Sequence, residues 1–202
     1  HENKLLVISS TDPLEESLRK NKMPTIGVLA HIGNRIELPS GKARVVLVGE
    51  KRVRVREYLN LNHTSEILES IIENLPKVEC IKEEETVLVN KLKRELEEYI
   101  QCLPYMSNSI LESVKKITSL DKLTDVIAAY IPESLERMQS YLSQLDPKKR
   151  TTMILEDFNY GKKTFNIEKE LDSKIEQKLD QTQKDYILRE KMRIFKPAFQ
   201  KV

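Results

Sequence analysis

The sequence predicts an α+β chain, strands first and helices after, that ends in one long projecting helix. Three observations predict it. Apolar residues alternate with polar ones over Thr25 to Leu38 and Arg52 to Arg56; from Glu83 onward the apolar spacing is three and four; and from Lys148 to Lys196 one apolar stripe runs without a proline. Segregated strands and helices are the mark of α+β architecture. With 202 residues, 39% of them hydrophobic, the chain can bury a sizeable core, and five glycines beside 33% charged residues suit a helix-rich protein.

Taken in order, Lys4 to Ser9 is a short apolar run that reads as a buried strand entering the Ser10-Thr11-Asp12-Pro13 loop. Thr25 to Leu38 alternates, with Ile26, Val28, Ala30, Ile32, Ile36 and Leu38 on one side. Pro39-Ser40-Gly41 makes a turn, and Ala43 to Val48 returns as the second strand of a hairpin. Gly49-Glu50 interrupts that strand. Arg52-Val53-Arg54-Val55-Arg56 then alternates with valines inward and arginines outward. Between Glu66 and Leu75, Ile67, Leu68, Ile71, Ile72 and Leu75 follow a Thr64-Ser65 cap signal at helical spacing, so pattern alone reads helix.

A first helix after Glu83 turns Val87, Leu88, Leu92, Leu96, Tyr99 and Ile100 inward and stops before Pro104. Ser107 or Asn108 caps a second, with Ile110, Leu111, Val114 and Ile117 inward; Asp121 caps a third that ends at Pro132. Ser134 begins a fourth, carrying Leu135, Met138, Tyr141, Leu142 and Leu145. Asp146-Pro147 opens the long helix, with proline in its first turn. Its stripe is Ile154, Phe158, Phe165, Leu171, Ile175, Leu179, Tyr186 and Met192, predicted buried at least through Leu171 and Ile175. About 45 helical residues span close to 70 Å, whereas a compact domain of this length has a radius of gyration of about 17 Å, so the helix projects. Gly161, costing about 1 kcal/mol relative to Ala in a helix interior, is where the rod is expected to start or bend. On pattern alone the rod could equally be a coiled-coil arm that only dimerises.

A formal charge of +2 implies no bulk electrostatic partner, neither nucleic acid nor anionic membrane. Two cysteines, Cys80 and Cys102, are too few for a disulfide scaffold and point to a reducing compartment. No apolar stretch approaches 18 residues and no signal peptide precedes Leu5, so the expected location is cytoplasmic. Gly41-Lys42 lacks the rest of a phosphate-binding loop, since position 36 is Ile and position 43 is Ala. His31 and His63 have no ligand-spaced Cys or carboxylate, so no metal site is expected. No Ser-Lys or Ser-His constellation can be argued from spacing, so no catalytic or cofactor-binding residue is assigned.

The most informative residues lie at the end of the long helix. Gln181-Thr182-Gln183-Lys184-Asp185-Tyr186-Ile187-Leu188-Arg189-Glu190-Lys191-Met192 resembles the stretch that closes the amino-terminal region of Lon proteases, which are ATP-dependent AAA+ serine proteases. Ile36-Glu37-Leu38-Pro39-Ser40-Gly41, followed by Arg44-Val45-Val46-Leu47-Val48 and Lys51-Arg52, resembles the Lon "L-P-(D/N)-G-T-x-(K/R)-V-L-V-E-G-x-x-R" hairpin. Leu123-Thr124-Asp125-Val126-Ile127-Ala128-Ala129-Tyr130-Ile131-Pro132 resembles its "L-A-D-x-I-A-A-H-L-P". The three occur in the family's order and together cover nearly the whole chain.

The resemblance implies a small PUA-like β-barrel over residues 1–82, a helical bundle over 83–147, a long helix over 148–196 leading to an ATPase ring, and a tail over 197–202. It also implies a strand, rather than a helix, ending before Pro76. Two departures stand out: the "P-L-R-D" strand and helix that open Lon sequences are not matched ahead of Lys4, and after Lys196 this chain reads Pro197-Ala198-Phe199-Gln200 where the family has "(A)-I-Q-K-E-L-G". The implied function is non-catalytic: recognition of unfolded or degron-bearing proteins and assembly of a homohexamer, with ATP, Mg²⁺ and the Ser-Lys dyad belonging to later parts of such an enzyme. Exposed apolar residues would read unfolded substrates, and Tyr186, Met192 and Phe195 are the candidates. The rival readings are a free-standing PUA-like interaction module and a nucleic-acid binder using Arg52, Arg54 and Arg56.

Overall fold

The computed structural model describes residues 4–9, 23–59, 69–104, 106–131 and 134–195. Four strands, β1 (Lys4–Val7), β2 (Ile26–Glu37), β3 (Ala43–Leu59) and β4 (Glu69–Asn74), form one antiparallel meander in the order β1-β2-β3-β4. Among the described residues this sheet is open, with β1 and β4 as its edges, so these four strands do not by themselves close the expected barrel. The loop expected at Ser10 to Pro13, the Thr64-Ser65 cap, Pro132 and the 197–202 tail lie outside the described residues.

The β2–β3 turn is set by Gly41, whose φ of 75° is a left-handed conformation that side-chain-bearing residues avoid. Gly41 N–H donates to the Leu38 carbonyl, and Leu38 N–H donates to the Lys42 carbonyl. Gly49-Glu50 does not interrupt β3. The register passes from Leu29 opposite Lys51 to Ala30 opposite Gly49, so Glu50 is the extra residue of a β-bulge within one continuous strand. A second bulge falls at Gly33 on β2 and a third at Arg56 on β3. An extra residue breaks period-two alternation, so Ile36 and Leu38 do not share the face of Ile26 and Ala30, and they lie beyond the pairing of β1 and β4: Ile26 and Ala30 are buried, but Ile36 and Leu38 are exposed. Val53, Val55 and Tyr58 complete the sheet's buried set, Tyr58 Oη donating to the Pro24 carbonyl at 2.5 Å.

Five helices follow: α1 (Lys82–Cys102), α2 (Ser109–Lys115), α3 (Leu120–Ala128), α4 (Leu135–Ser143) and α5 (Pro147–Phe195). β4 is the strand that the family resemblance implied, against the helical spacing of its apolar residues. Helix α1 ends at Cys102, directly before Leu103-Pro104, and Leu92, Leu96, Tyr99 and Ile100 are inward as expected. Val87 is not; it is 66% exposed, and Val89 takes the inward place. Asp121 does not cap α3. The cap position is Ser119, and the Leu120 N–H is satisfied from α1 by Glu85 Oε1 at 2.8 Å. Ser134 does cap α4, accepting from Arg137 N–H, and Asp146 Oδ1 accepts from Lys148 N–H to open α5.

The helical core joins Leu92, Leu96 and Tyr99 of α1, Ile110 and Val114 of α2, Leu120, Leu123 and Ile127 of α3, Tyr141 of α4, and Ile154 and Phe158 of α5. The Tyr99 and Phe158 rings stack with centroids 4.4 Å apart. Gly161 neither starts nor breaks the rod, since α5 runs through it as one 49-residue helix, about 74 Å long. A glycine is needed there because a Cβ would sit 2.9 Å from Tyr99 Cε2 and Oη. Burial of the α5 stripe ends at Phe165, which is only partly buried; Leu171 (52% exposed) and Ile175 are in solvent, contrary to expectation, because among the described residues no other element packs on the rod that far along.

Candidate functional site

The outer half of the β2–β3 hairpin extends past its neighbours. β1 pairs with β2 only between Val28 and His31, and β4 pairs with β3 only from Val53 to Leu59. Among the described residues, the stretch from Ile32 to Glu37 therefore pairs only with Ala43 to Leu47, as a two-stranded ribbon. Ile36, Leu38 and the consecutive Val45, Val46, Leu47 and Val48 all lie exposed on it, Val46 at 50%. Four consecutive strand residues point to alternate faces, so the ribbon is apolar on both sides. An isolated two-stranded ribbon is marginally stable in water, and such a surface gains from a covering partner.

A second exposed apolar surface follows α5, through Ile167, Leu171, Ile175, Leu179, Tyr186, Ile187, Leu188 and Met192. The candidates Tyr186 and Met192 are on it, 66% and 65% exposed, six residues apart on one helix. Phe195 is the last residue of α5, and its side chain lies outside what is described. Among the described residues, Tyr186 and Met192 are not brought together with any other element.

The arginine row of β3 serves different purposes. Arg52 points to the helices: its Nε donates to the Leu142 carbonyl at 3.0 Å, and its guanidinium pairs with Asp125 and lies 3.6 Å from Asp121. Arg56 pairs with Glu73 of β4 at 2.5 Å. Arg54 and Arg56 both keep the outward, exposed place expected of the row, but Arg52 is turned to the helices and Arg56 is neutralised by Glu73, so the three do not form the continuous basic face that a nucleic-acid reading requires. Between the sheet, the 75–78 connector and helices α3 and α4 lies an open cleft of about 900 Å³, lined by Val28, Arg52, Asp121, Leu135, Met138 and Leu142 among others.

The residue that sequence reasoning missed is Arg150. It is fully buried, with Nε donating to Thr124 Oγ1 at 2.8 Å, Nη1 to the Gln144 carbonyl at 2.7 Å, and Nη2 to Asp121. Its signal was present: the first turn of α5 has no acidic residue and carries Lys148, Lys149 and Arg150, against the helix dipole. A cation so placed needs an acid from elsewhere. Nearby, Asp157 accepts two hydrogen bonds of 2.8 Å from Arg137 and one from Tyr141 Oη. Burial first, and then that contact with Asp157, push the Tyr141 hydroxyl far above the ordinary phenol range. Glu50 is held below the usual carboxylate range, chiefly by its hydrogen bond from Lys4, with His31 adding to it.

A family model described as the ATP-dependent protease La (LON) substrate-binding domain matches residues 1–157. The chain belongs to the Lon substrate-binding domain family. It is 26% identical over 192 residues to the Lon protease of Brevibacillus choshinensis, which accounts for 95% of this chain and 24% of that protein. With Lon protease 1 of Bacillus subtilis the identity is 25% over 194 residues, 96% of this chain and again 24% of the relative. The chain thus spans about a quarter of the length of the curated Lon relatives it matches. In fold it is similar to the N-terminal domain of the Mycobacterium avium complex Lon protease, with a TM-score of 0.57 and 16% identity, covering 78% of this chain and 91% of that one.

Two of the stretches that resemble Lon sequences meet in space, since Arg52 belongs to the hairpin stretch and Asp125 to the α3 stretch. Among the described residues, no group of three His, Cys, Asp or Glu side chains is placed to hold a metal ion. No described helix is long and apolar enough to cross a membrane.

Proposed function

We propose that this chain is the non-catalytic substrate-recognition and assembly region of a Lon-type ATP-dependent serine endopeptidase acting on misfolded and regulatory proteins. In this reading the four strands are the larger part of a PUA-like barrel, and the β2–β3 ribbon captures apolar segments of unfolded or degron-bearing polypeptides. Helix α5 leads toward an ATPase ring that uses ATP and Mg²⁺. Its distal surface, with Tyr186, Met192 and Phe195, serves both substrate contact and self-association within a homohexamer. The reading places the parent enzyme in the cytoplasm.

The observation that carries it is the ribbon, apolar on two faces and uncovered by β1 or β4. Unfolded chains differ from folded ones by the apolar side chains they offer, and such a surface gains roughly 25 cal/mol for each Å² of apolar area it buries. The test is fluorescence anisotropy with a labelled, reduced and carboxymethylated protein as probe, using its native form as control. Val46→Asp or Leu47→Asp should weaken binding about tenfold, a loss of about 1.4 kcal/mol, with melting unchanged. Equal affinity for the two forms of the probe, or variants that bind as well as the parent chain, would overturn the assignment.

A further inference from the structure

Among the described residues, the buried cluster of the helices contains no residue of the sheet, and Ile26, Ala30, Val53, Val55 and Tyr58 of the sheet are buried outside it. The two are tied by polar contacts beside the cleft. Arg52 reaches Leu142 and Asp125; Gln139 Nε2 donates to the Ile26 carbonyl at 3.4 Å; and Ser9 Oγ donates to Gln139 Oε1 at 2.7 Å. An apolar interface would resist separation in proportion to its area, whereas relative motion is the default for a small polar junction.

We propose that Arg52 is a reversible ionic latch, holding the sheet against the helices beside the cleft by engaging the Asp121–Asp125 pair of α3. The reversibility lies in how that pair is held from the other side. Arg150, fully buried and fixed by Thr124 and the Gln144 carbonyl, contacts Asp121 and stands 3.5 Å from Asp125. Two carboxylates thus share two guanidiniums, one anchored within the helices and one brought by the sheet. When Arg52 withdraws, the aspartates keep Arg150 and are exposed enough, at 46% and 44%, to be hydrated, so no bare charge is left buried. Arg52, now only 15% exposed, gains water on release. Both states are therefore accessible, and the closed one is sensitive to salt because half of the pairing faces solvent. Release lets the sheet and the helices part and widens the cleft, whose walls include Val28, Leu135 and Leu142.

The test uses the full chain with Cys80→Ser and Cys102→Ser, and spin labels at introduced cysteines replacing Arg44 on β3 and Lys91 on α1, both exposed. Double electron–electron resonance then reports the sheet-to-helix distance. The closed latch gives one narrow distribution at low salt. Arg52→Met and Asp125→Asn should each about double its width or more, Arg52→Lys should restore part of the narrow peak, and the double variant should add nothing to either single one. Raising salt to about 1 M, where the Debye length is about 3 Å, should broaden the distribution with every side chain in place, so the test survives a variant that fails to fold. A distribution that stays narrow in high salt, or in folded Arg52→Met, would overturn the latch.

Discussion

Gly161→Ala separates two accounts of the long helix by the sign of its effect. If α5 were an ordinary solvated helix at this point, replacing glycine would stabilise it by about 1 kcal/mol through helix propensity. The packing dictates the opposite. A Cβ there would stand 2.9 Å from both Cε2 and Oη of Tyr99 and 3.3 Å from Cζ. The ring cannot retreat, because Tyr99 is only 2% exposed and stacks on Phe158. Overpacking a filled core costs about 1 to 3 kcal/mol, and disturbing an aromatic pair costs a further ~0.5 to 1.5 kcal/mol. Set against the propensity gain, the net should be a destabilisation of about 0.5 to 3.5 kcal/mol. At roughly 2 to 4 °C per kcal/mol for a chain of this size, melting should fall by about 1 to 14 °C. Circular dichroism or calorimetry reads this directly. In a Tyr99→Leu background, with the obstacle gone, the same substitution should turn stabilising by about 1 kcal/mol, a coupling that a double-mutant cycle isolates. A higher melting temperature for Gly161→Ala in the otherwise unchanged chain would refute the close packing of α1 against α5.

Arg150→Met strips Thr124, the Gln144 carbonyl and Asp121 of their buried partner and should cost about 3 to 5 kcal/mol, read as a lower melting temperature. Arg150→Lys should not rescue it, because one compact ammonium cannot reach the three acceptors that Nε, Nη1 and Nη2 serve separately. Leu171→Asp should leave melting of the dilute chain within about 0.5 kcal/mol, since the site is solvated, while reducing any concentration-dependent association seen by sedimentation. The raised pKa of Tyr141 means the folded state keeps its proton longer than the unfolded one. Its stabilisation is full below about pH 10 and is lost as pH rises beyond that, so the fall in melting temperature from about pH 9 to pH 11 should be steeper in the parent chain than in Tyr141→Phe.

The succession of elements was legible because long periodic runs and their punctuation are local properties: Ser134 and Asp146-Pro147 mark helix starts by their own chemistry. The details of the sheet were not. A bulge changes the face of every later residue while leaving the composition untouched, so Ile36 and Leu38 were placed on a buried row that Gly33 had already broken. The helical spacing of Ile67, Leu68, Ile71 and Ile72 gave no hint of β4, whose pairing is decided by β3. Val87 illustrates a smaller ambiguity, for a stripe with apolar residues at 87, 88 and 89 does not say which of them faces inward. At the site, the apolar content of Val45 to Val48 was visible, but their exposure depends on how far β1 and β4 extend. Asp121 looked like a cap and Arg52 like surface, because a charge shared between distant segments has no signature in either segment alone.

Helix α5 is also a mechanical element. From Phe158, its last fully buried residue, to Phe195 there remain about 55 Å of rod, measured at 1.5 Å per residue. A tilt of about 5° at the root sweeps the far end through about 5 Å, close to one helical pitch. The fulcrum of that lever is the ring stack of Tyr99 and Phe158, with Gly161 directly above it. A displacement too small to disturb the core is therefore large at the tip, and a load applied at the tip is returned to the core with the same mechanical advantage.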